Sequence, residues 1–439
     1  MNILRLLILI LIIFLTAGIV SASDVNDSEI ILQSGEGSFK ELNNLIVESP
    51  ENSVINLSKD YLSTDNDFPN GIEINKPLTI NGNNHVIDAN SNSRIFRILT
   101  SGVILKDIVF VNGNARNGGA IQSNYGVTID DCRFENNYAY NGGAIYVKNA
   151  KINNSVFINN FAKARGGAIY QKNGDVNNSK FINNNVPQGD VETSDGTILG
   201  YGGAIYQIDS NVYSSTFSGN NAFGGGAIQQ TSSNIYNSIF VGNYAFDGGA
   251  AGQFKKSNIF NSTFINNSAS AYGGAVQQME DSKVYYSSFV NNSAYHGGGV
   301  YQYDNSIVYN SNFVNNSAYY GGAIFQSVGS DFINCTFENN HANYNKDDVF
   351  TFDWDDRKDN STKSVDEFNF TNEVNDGTDD DITPDSDNSS FNTIDDDITS
   401  DSDNSLLNTN ENIDVENNAG NPLGLLLLSL FVLVIRIKK

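Results

Sequence analysis

Cysteine, proline, tryptophan, histidine and basic residues are all scarce in this sequence of 439 residues: 2 Cys, 6 Pro, 1 Trp and 3 His, with 25 Lys and Arg against 50 Asp and Glu. Two cysteines are too few for a disulfide-stapled scaffold. Cys132 and Cys335 each stand two residues before a recurrent Phe, where the other copies of the same pattern carry Ser. Eight repeats at about 4.8 Å per step place them roughly 40 Å apart, far beyond disulfide reach. They read as small core residues. His85, His296 and His341 are scattered without metal-ligand spacing, so neither a metal nor another cofactor is expected. A net charge of −25 leaves no basic stripe of the kind nucleic acid requires, and nucleic acid is not expected as a partner. Much of that charge is local: Asp347 to Glu416 holds 23 acidic residues against Arg357, Lys358 and Lys363, a net of −20.

What the chain has instead is a rhythm. Gly-Gly pairs begin at Gly118, Gly142, Gly166, Gly202, Gly225, Gly248, Gly273, Gly297 and Gly321, with steps of 24, 24, 36, 23, 23, 25, 24 and 24 residues. F-x-x-N keeps the same beat at Phe134, Phe157, Phe181, Phe217, Phe240, Phe264, Phe289, Phe313 and Phe337. A fixed period of this size defines a solenoid whose repeats contact their neighbours.

Each repeat predicts three short strands. The first follows Gly-Gly and carries one apolar slot, Ile121 to Ile324. The second holds Ile129, Ile152, Val176 and their equivalents five residues before Phe. The third is S-x-F, whose Ser and Phe share a face because strand side chains alternate. Asn and Gly fill the corners, where left-handed conformations are needed. A helical repeat fails on propensity, since Gly, Asn, Ser and β-branched residues dominate. The pattern predicts an all-β, right-handed parallel β-helix, a pectate-lyase-like solenoid. Ser38-Phe39-Lys40-Glu41 has the form of a capping box and predicts a short helix over the open N-terminal end.

The co-occurrence of GGA[IV] and F-x-x-N resembles the chlamydial polymorphic outer-membrane proteins. It resembles still more the adhesin-like surface protein family of methanogenic archaea, which pairs such repeats with a C-terminal hydrophobic tail. The likeness covers roughly Asn52 to Phe352 and both termini. No autotransporter β-barrel follows the repeats, a departure from the chlamydial pattern. The resemblance implies a β-helix displayed at a cell surface.

The expected organisation is a signal peptide over 1–22, an N-terminal cap and irregular turns over 23–117, and regular repeats with a C-terminal cap over 118–356. A disordered acidic linker over 357–420 and a membrane anchor or sorting signal over 421–439 follow. Arg5, the apolar run Leu6 to Leu15 and the small residues Val20-Ser21-Ala22 support the leader. The linker is acidic, rich in Ser and Asn, and too poor in apolar residues to form a core; it reads as a stalk. The apolar run Leu423 to Ile435 precedes Arg436, Lys438 and Lys439, which predicts attachment to a membrane with a cytoplasmic C-terminus.

Candidate functional residues lie in what the repeats leave variable. Four residues before Phe, five successive rungs carry Tyr213, Tyr236, Phe260, Tyr285 and Tyr309, beside an inward slot and therefore outward. Such a column suits a sugar ring or another protein. Tyr146, Tyr170 and Tyr206 form a second, shorter column. A Gln column, Gln171 to Gln326, reads as an inward or corner ladder. Glu280 and Asp304 are the nearest approach to a pair of hydrolytic carboxylates, but their slot is a variable, solvated corner and no catalytic residue is assigned. The reading is a non-catalytic, extracellular, membrane-anchored adhesin-like β-helix binding glycans or surface proteins. The alternatives are a secreted polysaccharide lyase or hydrolase on the same scaffold, and a passive cell-wall spacer. The twelve extra residues of the 36-residue step, near Pro187 to Ile198, predict one long polar loop.

Overall fold

The computed structural model describes residues 36–64, 68–187, 192–193, 196–197, 200–344 and 348–352. The expected leader, the acidic linker and the C-terminal apolar run lie outside the described residues.

The capping box is formed as predicted. Glu41 N donates to Ser38 Oγ at 3.2 Å, and Ser38 N donates to the Glu41 carboxylate at 2.9 Å. Helix α1, Phe39–Glu48, buries Phe39, Leu42 and Ile46, the spacing of one helical face. That face packs on the first strands and covers their open end.

Behind α1 the chain winds as a right-handed parallel β-helix of about twelve turns. Three sheets run its length. The Phe sheet has 13 strands and contains the S-x-F segments. The Gln sheet has 12 and follows the Gly-Gly pairs, and the Tyr sheet has 12 and carries the outward aromatic column. A closing strand, Val349–Phe352, extends the Gln sheet by pairing with Ile324–Ser327, in the place expected for a C-terminal cap strand.

Regular rungs contain four strands, not the expected three. A fourth, such as Tyr244–Asp247, lies between the F-x-x-N asparagine and Gly-Gly and builds a shorter corner sheet. Its single inward residue is a small Ala, as at Ala245, so no strong apolar alternation marks it. The turn from this strand into the Gln sheet admits only glycine. Gly248 has φ +61, and a Cβ on Gly249 would overlap the carbonyl oxygens of Gly274 and Ser268.

Identical residues stack along the core. Phe rings from Phe110 to Phe337 lie face to face, at centroid spacings from 4.6 Å for Phe289–Phe313 to 5.4 Å for Phe313–Phe337. The Asn of F-x-x-N is buried at its corner and bonds rung to rung. Asn220 Nδ2 donates to Asn243 Oδ1 at 2.9 Å, and Asn243 Nδ2 to Asn267 Oδ1 at 2.9 Å. Serines of S-x-F form a parallel ladder, with Ser215 N donating to Ser238 Oγ at 3.2 Å. Both cysteines are free thiols. Cys132 is buried in that serine slot, and burial pushes its thiol up to about 12.

The long step inserts its extra residues without disturbing the register. Phe181 stacks on Phe217 at 4.7 Å, and Gln171 Nε2 donates to Gln207 Oε1 at 3.0 Å across it. The insertion splits one corner strand: Asn185 bridges Asn221 before it and Tyr201 bridges Gly224 after it. Within it, Glu192–Thr193 pairs antiparallel with Gly196–Thr197.

Candidate functional site

The outer face of the Tyr sheet gathers the predicted column. Val212, Ile235, Ile259, Val284 and Val308 point inward and are fully buried, so the next residue on each strand faces out. Tyr213, Tyr236, Phe260, Tyr285 and Tyr309 are half-buried there. Successive ring centroids are 5.0, 4.9, 4.9 and 4.9 Å apart and the rings are nearly parallel, at interplanar angles between 2 and 6°. This stacking alters what the column offers. Each ring spends its faces on its neighbours, so the surface consists of ring edges and hydroxyls rather than open faces.

A second ladder runs beside the rings, two residues earlier on the same strands. Asn211 Nδ2 donates to Asp175 Oδ1 at 3.1 Å, Asn234 Nδ2 to Asn211 Oδ1 at 3.0 Å, and Asn258 Nδ2 to Asn234 Oδ1 at 2.9 Å. Lys283 and Ile307 continue the row. Where the amides give way to lysine, an open depression of about 660 Å³ is lined by Lys256, Asn258, Phe260, Asp281, Lys283 and Tyr285. The face is thus a flat strip of aromatic edges and amides ending in a charged hollow.

The second aromatic column forms but is more enclosed than the first. Tyr146, Tyr170 and Tyr206 stack at 4.6 and 5.3 Å, but each is about 5–6% exposed. The corner strand, unseen in the sequence, turns back beside the Gln sheet and walls these rings in. Two columns therefore pack side by side along this corner, with Tyr272 4.7 Å from Tyr301 and His296 4.8 Å from Phe325. From the Gln sheet come Tyr146, Tyr170, Tyr206, Gln229, Gly252, Gln277, Tyr301 and Phe325. From the corner sheet come Arg165, Tyr201, Gly224, Asp247, Tyr272, His296 and Tyr320. Arg165 lies 5.3 Å from the Tyr206 ring centroid. Burial pushes the Asp247 carboxyl up to about 7 and the His296 imidazole down to about 4. The sequence signal for this corner column is the residue just before each Gly-Gly pair, which has no fixed character and so escapes a search for consensus.

The Gln column faces the core as expected, but its ladder is partial. Gln207 Nε2 reaches Gln230 Oε1 at 3.0 Å, whereas Gln278 and Gln302 turn to the Ser282 and Ser306 carbonyls at 3.2 and 3.0 Å. Glu280 and Asp304 sit at left-handed corner positions, φ +55 each, with Asp304 exposed. His85 Nδ1 lies 2.9 Å from Asp60 Oδ1, and His341 pairs with Asn343. Among the described residues no group of three or more His, Cys, Asp or Glu is placed to hold a metal ion. Among them, also, no helix is long and apolar enough to cross a membrane.

Fold and faces together define a repeat-built β-helix with one outward strip of aromatic and amide side chains and a second, buried aromatic column at its corner. Residues 131–148, 154–172 and 261–277 match the repeat of the Chlamydia polymorphic membrane protein. None of the curated proteins matches the sequence. Among solved structures, the chain is similar to PfbA, a surface adhesin of Streptococcus pneumoniae, at 12% identity and a TM-score of 0.38, over 72% of this chain and 93% of that one. It is similar to an alginate lyase in complex with a trisaccharide at 9% identity and a TM-score of 0.36, over 76% and 89%. The catalytic domain of an α-1,3-glucanase in complex with nigerose gives 9% and 0.30, over 75% and 66%. Likenesses of that size assign no function to this chain.

Proposed function

We propose that this protein is a non-catalytic, adhesin-like β-helix of the cell surface, of the kind found in methanogenic archaea, that binds extracellular glycans or surface proteins. The observation that carries the reading is the five-ring column with its amide ladder on one flat face. Hydroxyls of Tyr213, Tyr236, Tyr285 and Tyr309 and the flanking amides offer donors and acceptors at the spacing of the rungs. An extended polymer lying along the axis would meet the same chemistry at each step. Glycoside hydrolysis asks for two carboxylates about 5–9.5 Å apart, and the five-ring column itself carries no carboxylate.

The flanking segments fit the same role. Residues 1–22 would direct export, the acidic 357–420 would hold the β-helix away from the surface, and 421–439 would anchor it in a membrane. Their composition supports each assignment. The test is a binding screen of the full chain on arrayed glycans and immobilised surface proteins, repeated with Tyr213, Tyr236, Tyr285 and Tyr309 changed singly to Ser. Loss of retention with an unchanged melting temperature is expected. Equal retention by all four variants would remove the column from the binding site.

A further inference from the structure

Basic side chains nearly vanish from the later repeats. Between Lys180 and Lys346 the sequence holds no Arg and only Lys255, Lys256 and Lys283. Two of them, Lys256 and Lys283, line the same open hollow of about 660 Å³ on the Tyr-sheet face. That volume lies within the range of about 300–1,000 Å³ typical of small-ligand sites.

Three successive rungs build the hollow in register. Asn258 pairs with Lys283 and Lys283 with Ile307 along one column, while Phe260 pairs with Tyr285 along the next. Lys256 and Asp281 come from the corner before those strands, both in the left-handed conformation, φ +61 and +58. Lys256 is exposed and Lys283 half-buried, and among the described residues neither ammonium is ion-paired. The amide ladder of this face ends here. Asn258 Nδ2 donates back to Asn234 Oδ1 at 2.9 Å and to the Lys256 carbonyl at 3.1 Å. The next rung offers Lys283 where an asparagine would have donated onward. Asn258 Oδ1 is therefore an acceptor that no described side chain fills, beside two uncommitted cations.

Such a set recognises an anion carried on a hydroxylated ring. The ammoniums pair with the anion, the amide oxygen accepts a ring hydroxyl, and the edges of Phe260 and Tyr285 cover C–H surface. A free inorganic anion would use the charge and leave the acceptor and the apolar wall idle. Asp281 shares the hollow and opposes an anion, so the lining holds two cations against one acid. A cationic amino sugar would meet the reverse balance. We propose that Lys256, Lys283 and Asn258 form a subsite for one acidic sugar residue, bearing a carboxylate or a sulfate, of a glycan laid along the aromatic column. The proposal rests on the preceding reading and narrows its ligand to acidic glycans.

The experiment titrates the full chain with trigalacturonate, a sulfated galactotriose, plain galactotriose and a glucosamine trisaccharide, read by saturation-transfer NMR. At least one acidic trisaccharide is expected to bind at least about tenfold more tightly than galactotriose, and which one binds assigns the anion. That binding should weaken several-fold as salt rises from about 25 to about 300 mM. Lys283→Asn lets the amide ladder run on, so it should fold at least as well as the parent while weakening the acidic ligand at least about tenfold. Lys283→Arg should retain it, and Asp281→Asn should strengthen it about threefold. Lys180→Gln removes a charge exposed on the Phe sheet and should change nothing. Equal binding by Lys283→Asn, an equal loss in Lys180→Gln, binding of the glucosamine trisaccharide alone, or no acidic trisaccharide bound by the parent would each overturn the subsite. Galactotriose held as tightly as its acidic counterparts would also overturn it, yet leave the aromatic column standing as a glycan surface.

Discussion

Asn243 donates its side-chain amide to Asn267 Oδ1 at 2.9 Å, while its own Oδ1 accepts from Asn220 at 2.9 Å. Its second amide hydrogen reaches the Phe217 carbonyl at 3.1 Å. The side chain is thus fully used as both donor and acceptor in a buried corner. Asn243→Asp keeps the shape but sets a carboxylate against two acceptor oxygens. A loss of about 3 kcal/mol or more is expected at pH 7, by chemical denaturation. Part should return at pH 4, where a protonated carboxyl again donates.

The two glycines near this corner should respond differently to a methyl group. Gly242 has φ +63 with nothing within 4 Å of a Cβ, so Gly242→Ala should cost about 1 kcal/mol for the left-handed backbone alone. Gly249→Ala meets backbone carbonyls of the next rung and cannot be relieved by a side-chain rotation. Its melting temperature should fall several times further, and hydrogen exchange should show the loss centred on the neighbouring rungs.

Inward and outward rings of one repeat should separate stability from binding. Phe240 is fully buried between Phe217 and Phe264, and Phe240→Ala should cost about 3–5 kcal/mol. Tyr236 is half-buried in the outer column; Tyr236→Ser forfeits cross-strand contacts worth about 1 kcal/mol. Retention on a glycan surface should move with Tyr236 and not with a partly destabilised Phe240 variant such as Phe240→Leu.

Asp247 and His296 should tilt the pH dependence of stability in opposite directions. The folded carboxyl titrates near 7, above its unfolded value, so the folded state binds more protons between about pH 4 and 7. Stability from this group is full below pH 4 and declines as pH rises to 7. Asp247→Asn should therefore gain on the parent at pH 8, by an amount on the order of 2 kcal/mol. The folded imidazole titrates near 4, below its unfolded value. Its contribution is present above about pH 6.5 and is lost as pH falls to 4. His296→Gln should flatten that acid limb in thermal melts across pH 4 to 8.

The parts of the fold legible in the sequence are those in which one residue type recurs. Gly-Gly, Phe and Asn each fill a slot that a single side chain satisfies, so the period, the helix capped by Ser38 and three of the four strands could be placed. The fourth strand escaped because one small Ala per rung gives no alternation to count. With it went the corner column, and the burial of Tyr146, Tyr170 and Tyr206. The outer column was legible by contrast, because an invariably apolar neighbour fixed its direction. That its rings stack on one another, leaving edges outward, depends on rotamers that no spacing specifies. Asp247 was the least visible of all. A single acid among Arg, Tyr, Gly and His in the same slot has meaning only once the neighbouring column is known.

The uninterrupted register across the long step bears on how such molecules change size. Phe181 and Gln171 meet their counterparts 36 residues on as closely as other rungs meet theirs at 24. Each turn asks of its neighbour only the same few side chains, whichever turn that neighbour is. Duplicating or excising a whole repeat would therefore alter reach by about 4.8 Å while keeping the Phe stack and the Asn ladder at the new junction. A repeat added or removed as a unit would carry its own members of the variable columns with it.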